Sequence, residues 1–295
     1  MVNNSFGERL KNYRKVMRLT QTELGRILNV SQVTVAYYER GERFPKQDML
    51  LAISNLFDVS LDTLLENNRS ANVANFYPDG FEFNIETLIK MLMRSPLQDA
   101  LTYTSGWRNK AELNLIDFYE KVISPILIKT GELWFKGEIL VSEEHLISDK
   151  IRELILIHAN RDLEKQANPP ADDKKWMGFC APGESHELAL LMNAQSLRLE
   201  GWQVYYLGVH VPFKDLSGII KKYKPDVLGI SVTMPTNIEG LDMYIRQIRA
   251  EFGDRPAIII GGQGLNRDSM KGINGINGSA DSIPEGLKLS DSYIL

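Results

Sequence analysis

The sequence predicts a multidomain chain in three parts: an all-α domain, a four-helix bundle and an α/β domain with a parallel sheet. Three observations predict this order. Short capped helical patterns occupy residues 1–66, long amphipathic patterns occupy residues 81–165, and apolar strands alternate with helices over residues 174–295. At about 150 residues per domain, a chain of 295 residues is expected to hold two or three domains.

Composition and charge narrow the class of protein. Hydrophobic residues make up 43% of the chain, enough for sizeable cores. No run of about 18 apolar residues occurs, no apolar signal core opens the chain, and Cys180 is the single cysteine. We therefore expect a cytoplasmic protein without a membrane partner.

The charge is unevenly distributed along the chain. The first 46 residues carry nine Lys or Arg and four Asp or Glu, a balance of +5, so a net charge of −4 leaves −9 for the remainder. A basic DNA-binding module joined to an acidic sensory body has this distribution. A solvated helix face can produce it too, so charge alone is weak evidence.

Residues 1–66 are predicted to form a compact five-helix unit. Apolar residues recur at helical spacing from Phe6 to Val16, which predicts the first helix. Thr20 and Glu23 form a capping box that opens the second helix, and Ser31 is a plausible N-cap for the third. Two closing helices are expected between residues 49 and 65. The second and third helices, joined by a tight turn, match helix-turn-helix geometry.

Residues 20–65 resemble the Cro-like phage-repressor (XRE) family nearly end to end. The matches are, in order, Thr-Gln opening helix two, Ser opening helix three, Tyr-Glu-Arg-Gly, Pro45 and the closing Val-Ser-Leu-Asp-Thr-Leu-Leu. The resemblance implies that the third helix enters the major groove of a double-stranded DNA operator. Because one such unit reads only a short half-site, we expect a homo-oligomer, either a dimer or a tetramer.

The same resemblance assigns DNA-contacting residues. Gln32 and Thr34 would face base edges, and Tyr37 would face the groove wall or backbone. The side chains expected near phosphates are Gln21, Arg14, Arg40 and Arg43. The alternative is that some of these side chains are merely solvated, above all Arg14 and Arg40.

The next segment is predicted to be a linker followed by a helical bundle. Residues 67–80 are rich in Asn, end in Pro and Gly, and show no sustained period. Beyond them, one helical face runs from Ile85 to Leu92, a long amphipathic stretch covers residues 113–128 with Pro125 as a kink or restart, and a long helix starts near Ser142. This pattern predicts a four-helix bundle over residues 81–165.

Three residues of this bundle carry a second resemblance. Trp134, nine intervening residues, then Glu144 and His145 are similar to the Trp-x9-Glu-His signature of CarH-type and LitR-type cobalamin photoreceptors. The resemblance implies that the bundle covers the upper face of adenosylcobalamin, with Trp134 over the adenosyl group and the other two in contact with it. Ser142 as the N-cap of the last helix would put Glu144 and His145 in its first turn. The alternative is that Trp134 is core, Glu144 favours the helix dipole and His145 lies at the surface.

One residue of the bundle departs from some of these photoreceptors. Phe135 stands where certain CarH-type relatives have a histidine that captures cobalt after light removes the adenosyl group. If capture occurs here, another donor must supply it. His158 and water are the candidates.

Residues 174–295 are predicted to form a Rossmann-like, flavodoxin-like domain. Apolar strands that alternate with helices indicate a parallel sheet covered on both sides, and ligands of such folds bind at the carboxyl ends of the strands. The helix after the first strand is expected from His186 to Glu200. Polar clusters occur at the carboxyl ends of the strands. They are Glu184, Ser185 and His186 after the first strand, Ser231 and Thr233 after the third, and Gly261 and Gly262 after the fourth.

These clusters resemble the cobalamin-binding domain of methionine synthase and its relatives, whose pattern is Asp/Glu-x-His-x-x-Gly, then Ser-x-Leu/Thr, then Gly-Gly. The resemblance implies that His186 is the lower cobalt ligand and that the displaced nucleotide tail inserts beside the Ser and Gly residues. A neutral imidazole is a suitable transition-metal ligand, which Glu184 could orient. Ala189 departs from the motif, since it adds a methyl group in place of its Gly.

Together these features lead us to expect a cobalamin-dependent, light-responsive transcriptional repressor. The alternative is a regulator whose C-terminal half binds haem, another tetrapyrrole or a protein partner without cobalamin photochemistry. A cobalamin-dependent enzyme is disfavoured, because the assigned segments leave no room for a catalytic barrel.

Overall fold

The computed structural model describes residues 6–17, 19–57, 64, 83–166, 174–265 and 273–294. The chain divides into two compact units. One comprises residues 1–114 and 133–150, and the other comprises residues 115–132 and 151–295. The predicted linker lies outside the described residues, as does the fifth N-terminal helix except for Leu64.

Four helices form the described part of the N-terminal region, and their bounds are α1 Phe6–Val16, α2 Gln21–Ile27, α3 Gln32–Glu39 and α4 Gln47–Phe57. Both halves of the predicted capping box are present, because Thr20 and Glu23 exchange side-chain and backbone hydrogen bonds. Ser31 caps α3 by accepting the N–H of Thr34 at 3.1 Å. The core joins all four helices through fully buried side chains, which include Leu10, Leu24, Val35, Ile53 and Phe57.

The middle of the chain is helical, with α5 Ile85–Arg94, α6 Leu97–Lys110, α7 Leu115–Phe118, a π-helical turn Tyr119–Ile123, α8 Ser124–Phe135 and α9 Val141–Leu163. The irregularity expected at Pro125 lies one turn earlier, in the π-helical turn, where the N–H of Ser124 reaches back to the carbonyl of Tyr119. Because proline has no N–H to continue the α-helical pattern, a π-helical turn just before it accommodates the break.

The start of α9 corrects another expectation. Ser142 lies inside the first turn rather than at the N-cap, since the helix begins at Val141. The carboxylate of Glu143 accepts the N–H of Leu140 at 2.8 Å and satisfies a donor at this end. Glu144 falls in the first turn as the sequence predicted, whereas His145 follows it as the fifth residue of the helix.

The C-terminal domain is a five-stranded parallel sheet in the order β2-β1-β3-β4-β5. Its strands are β1 Lys175–Cys180, β2 Gln203–Gly208, β3 Val227–Ser231, β4 Ala257–Gly261 and β5 Gly278–Ala280, and its helices are α10 Leu188–Leu199, α11 Phe213–Tyr223, α12 Ile238–Phe252 and α13 Ile283–Asp291. The strand order is that of flavodoxin-like folds, which confirms the predicted fold class.

One layer of this domain's core packs the sheet against α11 and α12. The side chains buried there include Phe179, Leu216, Leu228, Ile245 and Ile260. The order of strands places the ends of β1 and β3 side by side, with Cys180 paired to Ser231, and it places Gly261 beside Ser231. The polar loops that follow these strands therefore meet at one edge. No helix in the described part of the chain is both long and apolar enough to cross a membrane.

Candidate functional site

A fully buried carboxylate, that of Glu184, organises the carboxyl edge of the sheet. Its Oε1 atom accepts the N–H groups of Ser185 at 3.1 Å and His186 at 2.9 Å. Its Oε2 atom accepts three donors from the loop after β3, which are Thr233 N at 2.9 Å, Met234 N at 2.8 Å and Asn237 Nδ2 at 3.0 Å. One side chain therefore ties the loop after β1 to the loop after β3.

The hydrogen bonds decide the charge of this carboxylate. Burial acts to raise the pKa of Glu184, but donors from His186, Met234 and Asn237 outweigh it and lower the pKa to about 2. Glu184 is therefore an anion at neutral pH. The resulting negative charge is fully enclosed by protein.

His186 stands beside that anion. Its Nδ1 atom lies 2.5 Å from Oε1 of Glu184, while the side chain is 53% exposed. An acceptor at Nδ1 keeps the proton on that nitrogen, so Nε2 carries the lone pair. This is the arrangement of metal-ligating histidines, whose second nitrogen donates to a carboxylate. His186 belongs to the loop before α10, whereas the sequence placed it at the start of the helix.

The residues predicted to surround His186 contribute in different ways. Thr233 and Ser185 act through backbone N–H groups on Glu184. Ser231 is buried and pairs with Gly261 across β3 and β4. Gly262 has φ +120°, and a Cβ atom there would lie 2.3 Å from the carbonyl oxygen of Val232. The closest neighbour of Gly262 is thus the loop after β3, so the glycine is required by the fold itself.

Ala189, which replaces the glycine of the motif, leaves the carboxyl edge of the sheet open. Ala189 lies in the first turn of α10 and is exposed, so its methyl group displaces no buried side chain. A half-exposed imidazole backed by a carboxylate, together with glycine at the end of β4, fits a corrinoid cobalt as the bound group.

The predicted cap residues lie at the end of α8 and the start of α9, in residues 133–150 of the first unit. The side chain of Trp134 is 45% exposed, so the alternative that it is core is wrong. His145 Nδ1 lies 2.6 Å from Glu144 Oε2, and Ser148 Oγ donates to Glu144 Oε1 at 2.6 Å. His145 is 72% exposed. The surrounding segment exposes further apolar side chains, namely Phe135, Leu140, Val141 and Leu146.

Of the donors considered in place of Phe135, His158 is ruled out by its surroundings. Its side chain is 2% exposed and its ring packs on Phe118 with centroids 4.4 Å apart. A histidine in this position is a core residue. Phe135 itself is 84% exposed and has no atom able to coordinate a metal.

Three of the predicted DNA contacts, Gln32, Thr34 and Tyr37, lie on the recognition helix α3. Gln32 Nε2 donates to Gln21 Oε1 at 2.7 Å, and Gln21 Nε2 donates to Glu39 Oε2 at 2.9 Å. The Oγ1 atom of Thr34 lies 2.9 Å from the N-cap hydroxyl of Ser31. These bonds hold Gln21, at the start of α2, and Gln32, at the start of α3, in a defined geometry. Sequence reasoning missed Val33, whose 51% exposure on α3 is the structural signal.

The arginines predicted near phosphates divide into two kinds. Arg14 is 11% exposed and binds both carboxylate oxygens of Glu39 as well as the carbonyl of Leu19, so it holds α1 against α3, and its phosphate contact stays a prediction. Arg40 and Arg43 both lie over the ring of Tyr37, at 5.1 and 5.6 Å. Arg40 also pairs with Glu42 at 2.6 Å, which offsets part of its charge.

Comparison with known proteins agrees with this geometry. Residues 10–64 match the family model described as helix-turn-helix, and residues 174–275 match that of the B12 binding domain. The HTH-type transcriptional repressor CarH of Myxococcus xanthus is 29% identical over 154 residues, 52% of this chain and 49% of CarH. The HTH-type regulator YqaE of Bacillus subtilis is 40% identical over 68 residues, 23% of this chain and 59% of YqaE. The chain thus matches only about half the length of these relatives.

Among solved structures, the monomethylamine corrinoid protein of Methanosarcina barkeri aligns with a TM-score of 0.57 and 18% identity, covering 69% of this chain and 94% of that protein. This likeness is one of fold. The two family matches occupy the two regions in which the recognition helix and the Glu184–His186 pair lie. The chain therefore combines a helix-turn-helix domain of XRE type near its N-terminus with a B12-binding domain in its C-terminal half.

Proposed function

We propose that this chain is a cytoplasmic transcriptional repressor that binds a double-stranded DNA operator through its XRE domain and adenosylcobalamin through its B12-binding domain. The observation that carries the sensory half is the Glu184–His186 pair, a half-exposed imidazole whose second nitrogen is fixed by a buried anion. Such a ligand suits a transition metal. The matches to the helix-turn-helix and B12-binding family models support the combination of the two activities, and the match to the repressor CarH supports the role in transcription.

Five residues are proposed to hold the cofactor, and its binding is proposed to control DNA binding. His186 would hold the cobalt, with Glu184 as its orienting carboxylate. Trp134, Glu144 and His145 are the proposed contacts to the adenosyl group, and their exposure leaves them accessible. Bound adenosylcobalamin supplies a cobalt–carbon bond that light can break. The chain would couple the bound state to its oligomeric state and thereby to the pairing of two recognition helices on an operator.

A dark reconstitution tests this function. The full chain, purified with adenosylcobalamin in darkness, should retain the cofactor through gel filtration and change its absorption spectrum under green light. His186→Ala should weaken retention. Glu200→Ala, an exposed residue beyond the end of α10, is a control that should leave retention unchanged. Operator binding measured in darkness and after illumination should differ for the wild-type chain only when cobalamin is present.

A second candidate function is a cobalamin, haem or tetrapyrrole sensor without photochemistry. The exposure of Phe135 and the burial of His158 favour it, since neither side chain can replace a lost adenosyl ligand. This reading expects operator binding that responds to the added ligand but is identical in darkness and in light. Absence of retained cobalt would in addition exclude a corrinoid.

A further inference from the structure

The residue after His186 is held by two side chains from distant elements. Tyr206 Oη, on β2, donates to Oε2 of Glu187 at 2.6 Å. The guanidinium of Arg152, on α9, pairs closely with Oε1 of Glu187. Burial and the neighbouring carboxylate of Glu187 raise the pKa of Tyr206, so the phenol keeps its proton and remains a donor. Glu187 is 16% exposed and Arg152 36% exposed, so the network lies at the edge of the domain.

The end of β2 is shaped to receive this carboxylate. Gly208 has φ +71°, and a Cβ atom at that position would lie 2.9 Å from Oε2 of Glu187. A larger residue would push the carboxylate away from Tyr206. Glu187 is also the N-cap residue of α10. The start of α10, the end of β2 and α9 are therefore joined through one side chain, and all the residues involved belong to the second compact unit.

His186 is thus placed between two carboxylates with separate tasks. Glu184 fixes the ring through Nδ1 and ties the loop to the end of β3. Glu187 fixes the backbone on the other side of His186 and ties it to β2 and α9. Because consecutive Cα atoms are about 3.8 Å apart, a shift of Glu187 carries His186 with it. Metal coordination tolerates errors of only about 0.2 Å in ligand distance, so a small shift matters.

We propose that Glu187 and Arg152 are positioning residues for His186, so that coordination of cobalt depends on where α9 holds Arg152. This inference rests on the proposed function, because it takes His186 as the cobalt ligand. A movement of residues 151–163 would then shift Arg152 and Glu187, and through them His186. The ion pair is partly exposed and contributes little to stability, so its loss leaves the fold intact.

The test measures which nitrogen binds cobalt. The full chain is prepared with histidine labelled with nitrogen-15 and loaded with cob(II)alamin. A nitrogen-15 axial ligand splits the electron paramagnetic resonance lines into doublets, whereas the cofactor's own nitrogen-14 base gives triplets. The wild-type chain should show doublets, and His186→Ala should lose them.

Four variants of the network then address the proposal. Arg152→Gln and Glu187→Gln should lose most of the doublet signal and bind cobalamin roughly tenfold more weakly, a size common for partners of metal ligands. Tyr206→Phe should show a smaller loss in the same direction, since it removes one donor. Arg152→Lys should restore most of the doublet signal, because a cation remains beside Glu187.

The opposite face of the same domain provides a matched control. Glu251 accepts the hydroxyl of Ser217 at 2.6 Å and pairs with Lys221. This network also joins a carboxylate to a hydroxyl group and a cation, and none of these contacts involves the loop of His186. Glu251→Gln and Lys221→Gln should leave both the doublets and the affinity unchanged.

Two results would overturn the proposal in distinguishable ways. If Arg152→Gln and Glu187→Gln keep the doublets and the wild-type affinity, the network is only structural, while His186 remains the ligand. If the wild-type chain itself gives no doublets, His186 does not bind cobalt and the sensory half of the proposed function fails with it. Thermal unfolding of every variant identifies any loss of signal that results from unfolding.

Discussion

The Nδ1 atom of His186 lies 2.5 Å from Oε1 of Glu184, a carboxylate that the fold encloses completely. Three donors from the loop after β3 occupy the other oxygen of that carboxylate. The orientation of the imidazole is therefore set by two loops at once, and the proton is held on Nδ1. What remains for a ligand is Nε2 on a half-exposed ring.

Glu184→Gln tests whether the carboxylate of Glu184 orients His186 for cobalamin binding. An amide nitrogen cannot accept the donors that now converge on the carboxylate, so at least one buried N–H group loses its partner. We expect cobalamin affinity to fall about 10–100-fold and stability to fall by about 1–3 kcal/mol. Absorbance titration and thermal unfolding measure the two effects. Glu239→Gln, which alters an exposed carboxylate on α12, is the control. Unchanged affinity in Glu184→Gln would contradict the orienting role.

The low pKa of Glu184 also predicts a dependence of stability on pH. Burial raises this pKa but the hydrogen bonds lower it from 4.5 to about 2, so the folded state binds fewer protons than the unfolded state between these values. The ionised Glu184 therefore contributes to the free energy of unfolding in full above pH 4.5, and this contribution disappears as the pH falls through about 2. At 1.36 kcal/mol per pKa unit it is about 3 kcal/mol.

The measurement compares the wild-type chain with Glu184→Gln in denaturant at several pH values. The difference in unfolding free energy of the C-terminal domain should be largest near neutral pH and should shrink from pH 4.5 towards pH 2. Other carboxylates titrate in both proteins and cancel in the difference. A difference that stays constant over this range would mean that Glu184 is not the group responsible.

Arg14 provides a prediction about stability rather than DNA binding. Its partner Glu39 is 3% exposed on the side chain, and removing one member of a buried pair leaves an uncompensated charge. Arg14→Met should therefore destabilise the N-terminal domain by about 3–5 kcal/mol. Arg40→Met breaks an exposed pair and should cost at most about 1 kcal/mol. Thermal unfolding of the two variants compares them directly. Equal midpoints would show that the Arg14–Glu39 pair is not a stabilising contact.

The sequence predicted the elements that depend on local interactions. Thr20 and Ser31 cap their helices as expected, because a cap involves only the next three residues. Helix α6 was not predicted, since its buried face consists partly of Thr102, Thr104 and Ser105, which show no apolar period. The sequence found most polar residues of the carboxyl edge of the sheet because strand ends and loops are recognisable.

The sequence did not reveal contacts between residues far apart in the chain. Glu187 follows His186 directly, yet its partners stand 35 residues before it and 19 after it. The burial of His158 against Phe118 and the pairing of Arg14 with Glu39 depend on tertiary packing in the same way. Glu187, Arg14 and Glu39 have charged side chains that are ordinarily found at the surface, and only the fold shows their partners.

The recognition helix allows base reading to be separated from phosphate binding. Val33 is an uncharged, 51% exposed side chain on α3, suited to contact with a thymine methyl group in the major groove. Val33→Ala should weaken operator binding by about 1 kcal/mol without changing its salt dependence, because no counterion is displaced.

Arg43→Gln should lower the slope of log affinity against log salt by about one and weaken binding to specific and non-specific DNA equally. Fluorescence anisotropy at several salt concentrations, on operator and on unrelated DNA, measures both. If Val33→Ala changed the salt dependence, Val33 would not be a base contact. If Arg43→Gln altered only the sequence preference, Arg43 would contact bases rather than phosphates.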